Sequence, residues 1–205
     1  PKSPSDCFEA IIEAVRITVE HMVPVMFLSD GYIANGSEPW LFPKAAEIKE
    51  ITPRWADPDK ERTGAYLPYK RNADLVREWA VPGMKGLQHR VGGIEKENET
   101  GNISYDPNNH ELMVKLRQEK VNLIAQDVPD LAIELGEDSG DILVLGWGST
   151  YGASRTVVRE LIQDGYKVSQ AHFRYLNPFP KNTGELLSKF KKVMIPEINN
   201  GQLVH

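Results

Sequence analysis

Three glycines, Gly146, Gly148 and Gly152, lie between the apolar run ILVL and the stretch SRTVVRELIQD, which has helical periodicity. A glycine-rich turn from a buried strand into a helix is an arrangement that can cradle phosphate, because free peptide N–H groups and the helix dipole face an anion together. The hydroxyls of Ser149 and Thr150 would add donors. The spacing, G-x-G-x-x-x-G, is one residue longer than the dinucleotide fingerprint.

Two companions of that chemistry are absent. A dinucleotide site needs an acid at the C-terminal end of the next strand to take a ribose hydroxyl. The next strand here, KVSQAHF, ends in Phe173 and Arg174, and Asp164 precedes it in a QDG turn at the opposite edge. A P-loop needs a lysine after the last glycine, but Ala153 and Ser154 follow Gly152. The glycines are therefore read first as turn formers, with Ser149 or Ser154 as a helix cap and Gly165 as its stop.

Polar residues collect where strands end: Asp30 after the first apolar run, Ser149 and Thr150 after the second, Arg174 and Asn177 after the third, and Glu197, Asn199 and Asn200 after the fourth. Parallel α/β sheets place ligand and partner sites along that edge. These eight residues are the candidate interface. No complete catalytic constellation is drawn from this sequence, and none of its residues is assigned a catalytic, cofactor-binding or metal-binding role. The histidines at 21, 89, 110, 172 and 205 show no ligand spacing with one another or with Cys7. His172 reads as a satisfied histidine within a strand. The single cysteine, Cys7, suits a reducing, cytoplasmic compartment.

The elements that must carry these residues follow from periodicity. Residues 5–21 predict an amphipathic helix with Phe8, Ile11, Ile12, Val15 and Val19 on one face and Asp6 and Glu9 at capping-box spacing. The run VPVMFLSD predicts a strand buried on both faces, as in a parallel sheet. Between about Gly36 and Asn109, prolines recur with Trp40, Trp55 and Trp79 among them, and only KAAEIKEI and NADLVREW predict helical turns. Such a stretch is expected to lie against a neighbouring domain or subunit. From Asn109, a candidate cap, a helix carries Leu112, Met113, Leu116, Leu123 and Ile124 as one core stripe. Strands ILVLGWG, KVSQAHF and KVMIPEI then alternate with helices, which predicts a three-layer α/β domain around a parallel sheet.

Composition sets the outer limits. Apolar residues make up 40% of the 205 residues, and no apolar run reaches the length of a membrane span. A net charge of -5, without a basic stripe, argues against nucleic-acid binding. The chain starts without Met or a targeting pattern and stops as a new helix begins, so both ends are expected to be cuts within a longer protein.

Three segments in order, LGWGSTYGASR, FRYLNPFPKN and VMIPEINNGQLV, resemble the end of the α subunit of 2-oxoacid:ferredoxin oxidoreductases, most of all the 2-oxoglutarate enzymes. L-N-P-F-P and P-E-I-N-N-G-Q are the specific motifs. Upstream, PVMFLSDGYIA resembles the last strand of the thiamine-pyrimidine domain, and HRVGGIEKENETGNISYDPNNHELMVKLRQEK resembles the start of the second domain. The resemblance implies three regions: 1–36 as the end of a thiamine-pyrimidine domain, 37–108 as an irregular linker, and 109–205 as a truncated domain like the transketolase C-terminal domain. It also implies a thiamine-diphosphate enzyme that forms acyl-CoA, CO2 and reduced ferredoxin from a 2-oxoacid. Its β subunit would hold the diphosphate, Mg2+ and the iron-sulfur cluster, with further small subunits or a second copy of the chain as other partners. The family's catalytic glutamate would lie upstream of Pro1, so the fragment alone is expected to be an inactive scaffold. Two alternatives stand beside this reading: a non-catalytic nucleotide-binding or regulatory α/β module, motivated by the glycine loop, and the pyruvate or branched-chain member of the same family.

Overall fold

Two runs, Gly140–Trp147 and Val168–Phe173, are flanked by turn-forming glycines, the first buried towards its C-terminal end and the second along nearly all its length. In the computed structural model, which describes residues 1–61 and 64–205, they become the inner strands of a four-stranded sheet. In chain order the helices are α1 (Asp6–His21), α2 (Gly31–Asn35), α3 (Pro107–Ile124), α4 (Tyr151–Gln163) and α5 (Thr183–Ser188). The strands are β1 (Ile133–Leu135), β2 (Gly140–Trp147), β3 (Val168–Phe173) and β4 (Phe190–Met194). Short 3-10 turns occupy Ala45–Glu47 and Gly148–Thr150.

The chain divides into two compact units. One comprises Pro1–Ala14, Met26–Lys44 and Ala125–His205, and the other comprises Val15–Val25 and Ala45–Ile124.

The first unit contains the sheet, in the order β1-β3-β2-β4. β2 pairs in parallel with β3 and with β4, as expected of strands joined through helices. β1 is the exception: it runs antiparallel on β3, so the sheet is mostly and not wholly parallel. At three residues, IEL is too short to show a period, and a single antiparallel edge strand on a parallel sheet is a common solution.

Alternation along the strands builds two packed faces. Leu143 and Leu145 of β2 join Ala171 and Phe173 of β3, with Leu131, Leu186 and Phe190, in one buried cluster. Phe173 stacks on Phe179 with ring centroids 4.9 Å apart. The other face, with Gln170 and His172, lies under α4, whose Tyr151 meets the His172 ring edge-on at 4.9 Å. This is the three-layer arrangement that strand-helix alternation predicts.

Upstream, the expected strand over 23–30 does not form: no residue of VPVMFLSD joins a ladder among the described residues. Without a neighbouring strand the run leaves Met26 at 81% and Leu28 at 52% exposure. Asp30 instead caps α2, accepting from the Ile33 N–H at 3.0 Å. Trp40 packs within the same unit, tilted against Phe8 at 5.2 Å and Phe42 at 5.1 Å.

The second unit is held by loops around α3. That helix begins at Pro107, a favoured first helical position, and Asp106 accepts from the Asn108 N–H at 2.9 Å, so Asp106 and not Asn109 is the cap. Asn109 lies inside the helix and clamps a loop, accepting from the Asn98 N–H at 2.9 Å and donating to the Lys96 carbonyl at 2.8 Å. Met113 and Ile124 of the expected stripe are buried, whereas Leu112 is exposed.

NADLVREW forms no helix. The Asn72 side chain accepts from the N–H groups of Asp74 at 3.1 Å and Val76 at 2.9 Å, which diverts the backbone into a turn. Leu75 is left-handed there, and Arg71 bridges antiparallel to Arg77. Trp79 bridges Trp55 and donates its indole N–H to the Val19 carbonyl at 2.9 Å.

The helix over 5–21 is present as α1, but with a different buried face. Ile17, Arg16 and His21 are buried, while Ile11 and Val15 of the expected stripe are exposed. Asp6 does not close a capping box: its carboxylate takes the Lys2 backbone N–H at 2.8 Å and an ion pair with Arg174.

Candidate functional site

The C-terminal ends of β2 and β4 open on a groove of about 390 Å³ within the first unit. Its apolar wall is Phe27, Leu28, Ile33, Trp147 and Ile198, and its polar positions are Ser29, Asp30, Ser149, Thr150, Glu197 and Asn199. Five of the eight strand-end candidates thus line one groove: Asp30, Ser149, Thr150, Glu197 and Asn199. Arg174, Asn177 and Asn200 do not. Arg174 is engaged by Asp6, Asn177 precedes a cis proline, and Asn200 is exposed in the terminal turn.

The turn from β2 into α4 explains how two carboxylates come to sit here. Gly148 has φ +60, a left-handed backbone that turns the chain sharply off the strand. A Cβ on Gly148 would lie 3.9 Å from the Asp30 carboxylate, and Ser149 gives Asp30 hydrogen bonds from its hydroxyl and its backbone. Burial alone would raise the Asp30 pKa, but donors from Ser149, Ile33 and Tyr32 outweigh it and hold the group below the usual range. The cradle that could have taken a phosphate is filled at Ser149 by the protein's own carboxylate.

Glu197 is anchored in the same way. The Trp147 indole N–H donates to it at 3.1 Å, the Asn199 amide at 3.0 Å, and the Leu203 N–H at 3.1 and 3.2 Å. Burial pushes its pKa up, and these donors pull it down by more. Thr150 turns inward, donating to the Trp147 carbonyl at 2.9 Å. As built, the groove offers an apolar floor rimmed by ionised carboxylates, which suits a partner segment or ligand with an apolar body and polar or cationic ends.

Behind the groove is a second cluster that the sequence reading missed. Glu134 of β1 accepts from Lys2 at 3.3 Å, from the Tyr151 hydroxyl at 2.6 Å and from Arg155 at 3.2 Å. Burial, then Glu134, raises the Tyr151 pKa. His172 lies under Tyr151, its pKa pushed down to about 4 chiefly by burial, which the Gly148 backbone beside the ring offsets only in part. α4 covers the ring and offers it an aromatic edge. Glu134 carried no signal, because its strand is three residues long. Among the described residues no group of three or more His, Cys, Asp or Glu side chains could hold a metal ion.

A mostly parallel α/β unit with a groove at its strand ends defines a class of ligand- or partner-binding sheet domains. The chain belongs to the pyruvate flavodoxin/ferredoxin oxidoreductase, thiamine diP-binding family, whose profile matches residues 1–106. It is 48% identical, over 99% of its length, to the 2-oxoglutarate oxidoreductase subunit KorA of Mycobacterium tuberculosis, of which it spans 30%. It is 25% identical, over its whole length, to the 2-oxoglutarate synthase subunit KorA of Methanothermobacter marburgensis, of which it spans 53%. Among solved structures it is similar to the 2-oxoglutarate:ferredoxin oxidoreductase from Magnetococcus marinus with 2-oxoglutarate, coenzyme A and succinyl-CoA bound. That likeness has a TM-score of 0.86 at 29% identity, covering all of this chain and 35% of the other.

Proposed function

We propose that the chain is part of the α subunit of a thiamine-diphosphate-dependent 2-oxoglutarate:ferredoxin oxidoreductase, which forms succinyl-CoA, CO2 and reduced ferredoxin. The 48% identity to the M. tuberculosis subunit across 99% of the chain carries this reading, and the likeness to the M. marinus enzyme supports it. When bound, thiamine diphosphate would supply the carbanion stabilisation that decarboxylation needs. The family resemblance assigns Mg2+, the diphosphate and the iron-sulfur cluster to the β subunit, and in this chain the carboxylates of Asp30 and Glu197 are held by internal donors.

In this reading residues 1–36 close the thiamine-pyrimidine domain, 37–108 connect, and 109–205 form the transketolase-C-terminal-like domain. The exposed Met26 and Leu28 would be covered by strands of the complete subunit. The groove residues Asp30, Ser149, Thr150, Glu197 and Asn199, with Arg174, Asn177 and Asn200 beyond it, would face the β subunit or a second α subunit. No helix among the described residues is long and apolar enough to cross a membrane, and the complex is proposed to be cytoplasmic.

Co-expression of the complete subunit with its partner should give CoA-dependent reduction of ferredoxin or viologen with 2-oxoglutarate. The 205-residue chain alone should give none. A complex that turns over no 2-oxoacid would overturn the assignment.

A further inference from the structure

Arg71, Arg77 and Lys120 converge in the second unit, and among the described residues none of them forms an ion pair within 4.0 Å. Arg71 and Arg77 pair in an antiparallel bridge, and their guanidinium carbons lie 5.9 Å and 4.8 Å from the centre of the Tyr69 ring. Tyr69 is a fixed platform. Gly101 lies against it so closely that a Cβ there would come within 2.8 Å of the ring. Asn98 fixes Arg71 by accepting from Nη1 at 2.6 Å, and the Met113 sulfur takes Nη2 at 3.4 Å. Lys120 reaches in from α3, its Nζ held on the Met22 carbonyl at 2.9 Å.

These anchors are neutral. They hold three cations without cancelling any of their charge, so the charges repel one another in a half-buried setting. Burial, then Arg71 and Arg77, pushes the Lys120 pKa down to about 8. The groups facing Arg71 are Tyr69, Arg77, Glu99 and Arg117, of which Glu99 is exposed and Arg117 already pairs with Glu95 at 3.3 Å. Arrangements that concentrate like charge on a fixed platform are characteristic of sites whose ligand supplies the opposite charge.

We propose that Arg71, Arg77 and Lys120 form a receptor for a phosphate group, with Tyr69 as its floor. A carboxylate would offset one of the three charges, whereas a phosphate dianion offsets two and has oxygens for guanidinium forks and an ammonium together. The inference stands apart from the oxidoreductase reading, since it rests only on this cluster.

Calorimetry with inorganic pyrophosphate as the probe, at low salt and neutral pH, tests it. Binding is expected, and Arg77→Gln or Lys120→Gln should each weaken it about tenfold, the value of one charge-assisted hydrogen bond. Lys191→Gln, in the other unit, should leave it unchanged. Thermal melts establish that each variant is folded, and Arg77→Lys, which keeps the charge but loses the planar fork, should bind more tightly than Arg77→Gln and more weakly than the unaltered chain. Between pH 7 and 9 affinity should fall as Lys120 loses its proton, and binding near pH 8.5 should take up protons, read as a dependence of the heat on buffer. No binding, or binding unaltered by both charge-removing variants, overturns the proposal. Competition by coenzyme A would identify a coenzyme phosphate as the source, and its failure to compete would leave free phosphate.

Discussion

Trp147, the last residue of β2, donates its indole N–H to Glu197 at 3.1 Å, and Glu197 in turn takes the Leu203 N–H at 3.1 and 3.2 Å. One carboxylate thus fastens the terminal turn to the strand end and shapes one wall of the groove. Trp147→Phe keeps the ring and removes the donor. Hydrogen exchange at the Leu203 amide should quicken in that variant while the Leu143 and Leu145 amides stay protected. Unchanged exchange at Leu203 would show that the indole bond does not hold the turn.

Acid should destabilise the first unit through His172. Its folded pKa is lowered from 6.5 to about 4, so the unfolded chain binds the proton more tightly. The stabilisation is complete above pH 6.5 and disappears as pH falls towards 4. At 1.36 kcal/mol per unit the full loss is on the order of 3 kcal/mol. Urea denaturation between pH 7 and 4 should show that slope, and His172→Gln should flatten it.

Two glycines of the loop should respond oppositely to a methyl group. At Gly146 a Cβ would lie 2.8 Å from the Thr150 hydroxyl and 3.2 Å from His172 Nδ1, so Gly146→Ala should cost roughly 1–3 kcal/mol by overpacking. At Gly152, within α4, a Cβ meets nothing within 4 Å, so Gly152→Ala should stabilise by about 1 kcal/mol through helix propensity. Denaturation midpoints that move in the same direction for both variants would contradict the packing described.

Removing the acid at Glu134 should release Tyr151. The phenol is raised above its ordinary value of 10.0 by burial first and then by Glu134, so Glu134→Gln should lower the titration midpoint without restoring it fully. Ultraviolet absorbance of the phenolate measures this, with Tyr151→Phe subtracted. A midpoint that does not fall would remove Glu134 from the account.

Where an element's own pattern matches the face it buries, sequence and structure agree: β2, α4 and β3 need no context beyond that pattern. Agreement fails where an element depends on something distant or on a single side chain. VPVMFLSD has the composition of a buried strand, but a strand requires a neighbour, and among the described residues it has none. NADLVREW has helix-forming residues, but the Asn72 side chain outbids the helix for its own backbone N–H groups. The row of strand-end polar residues was legible as a row because β2 and β4 run in parallel, which sends Ser149, Thr150, Glu197 and Asn199 to one end. Which of them would meet was not legible, since the turn at Gly148 decides it.

The sheet ends on both sides in strands that discourage further growth. β1 is only three residues long, and β4 is exposed from its second residue onward with Lys191 and Lys192 at its start. Short borders and charged lysines make poor templates for another chain's backbone. Pairing of the sheet with another chain through either of these borders is therefore disfavoured, and any cover for the apolar run at 23–30 has to come from side-chain packing.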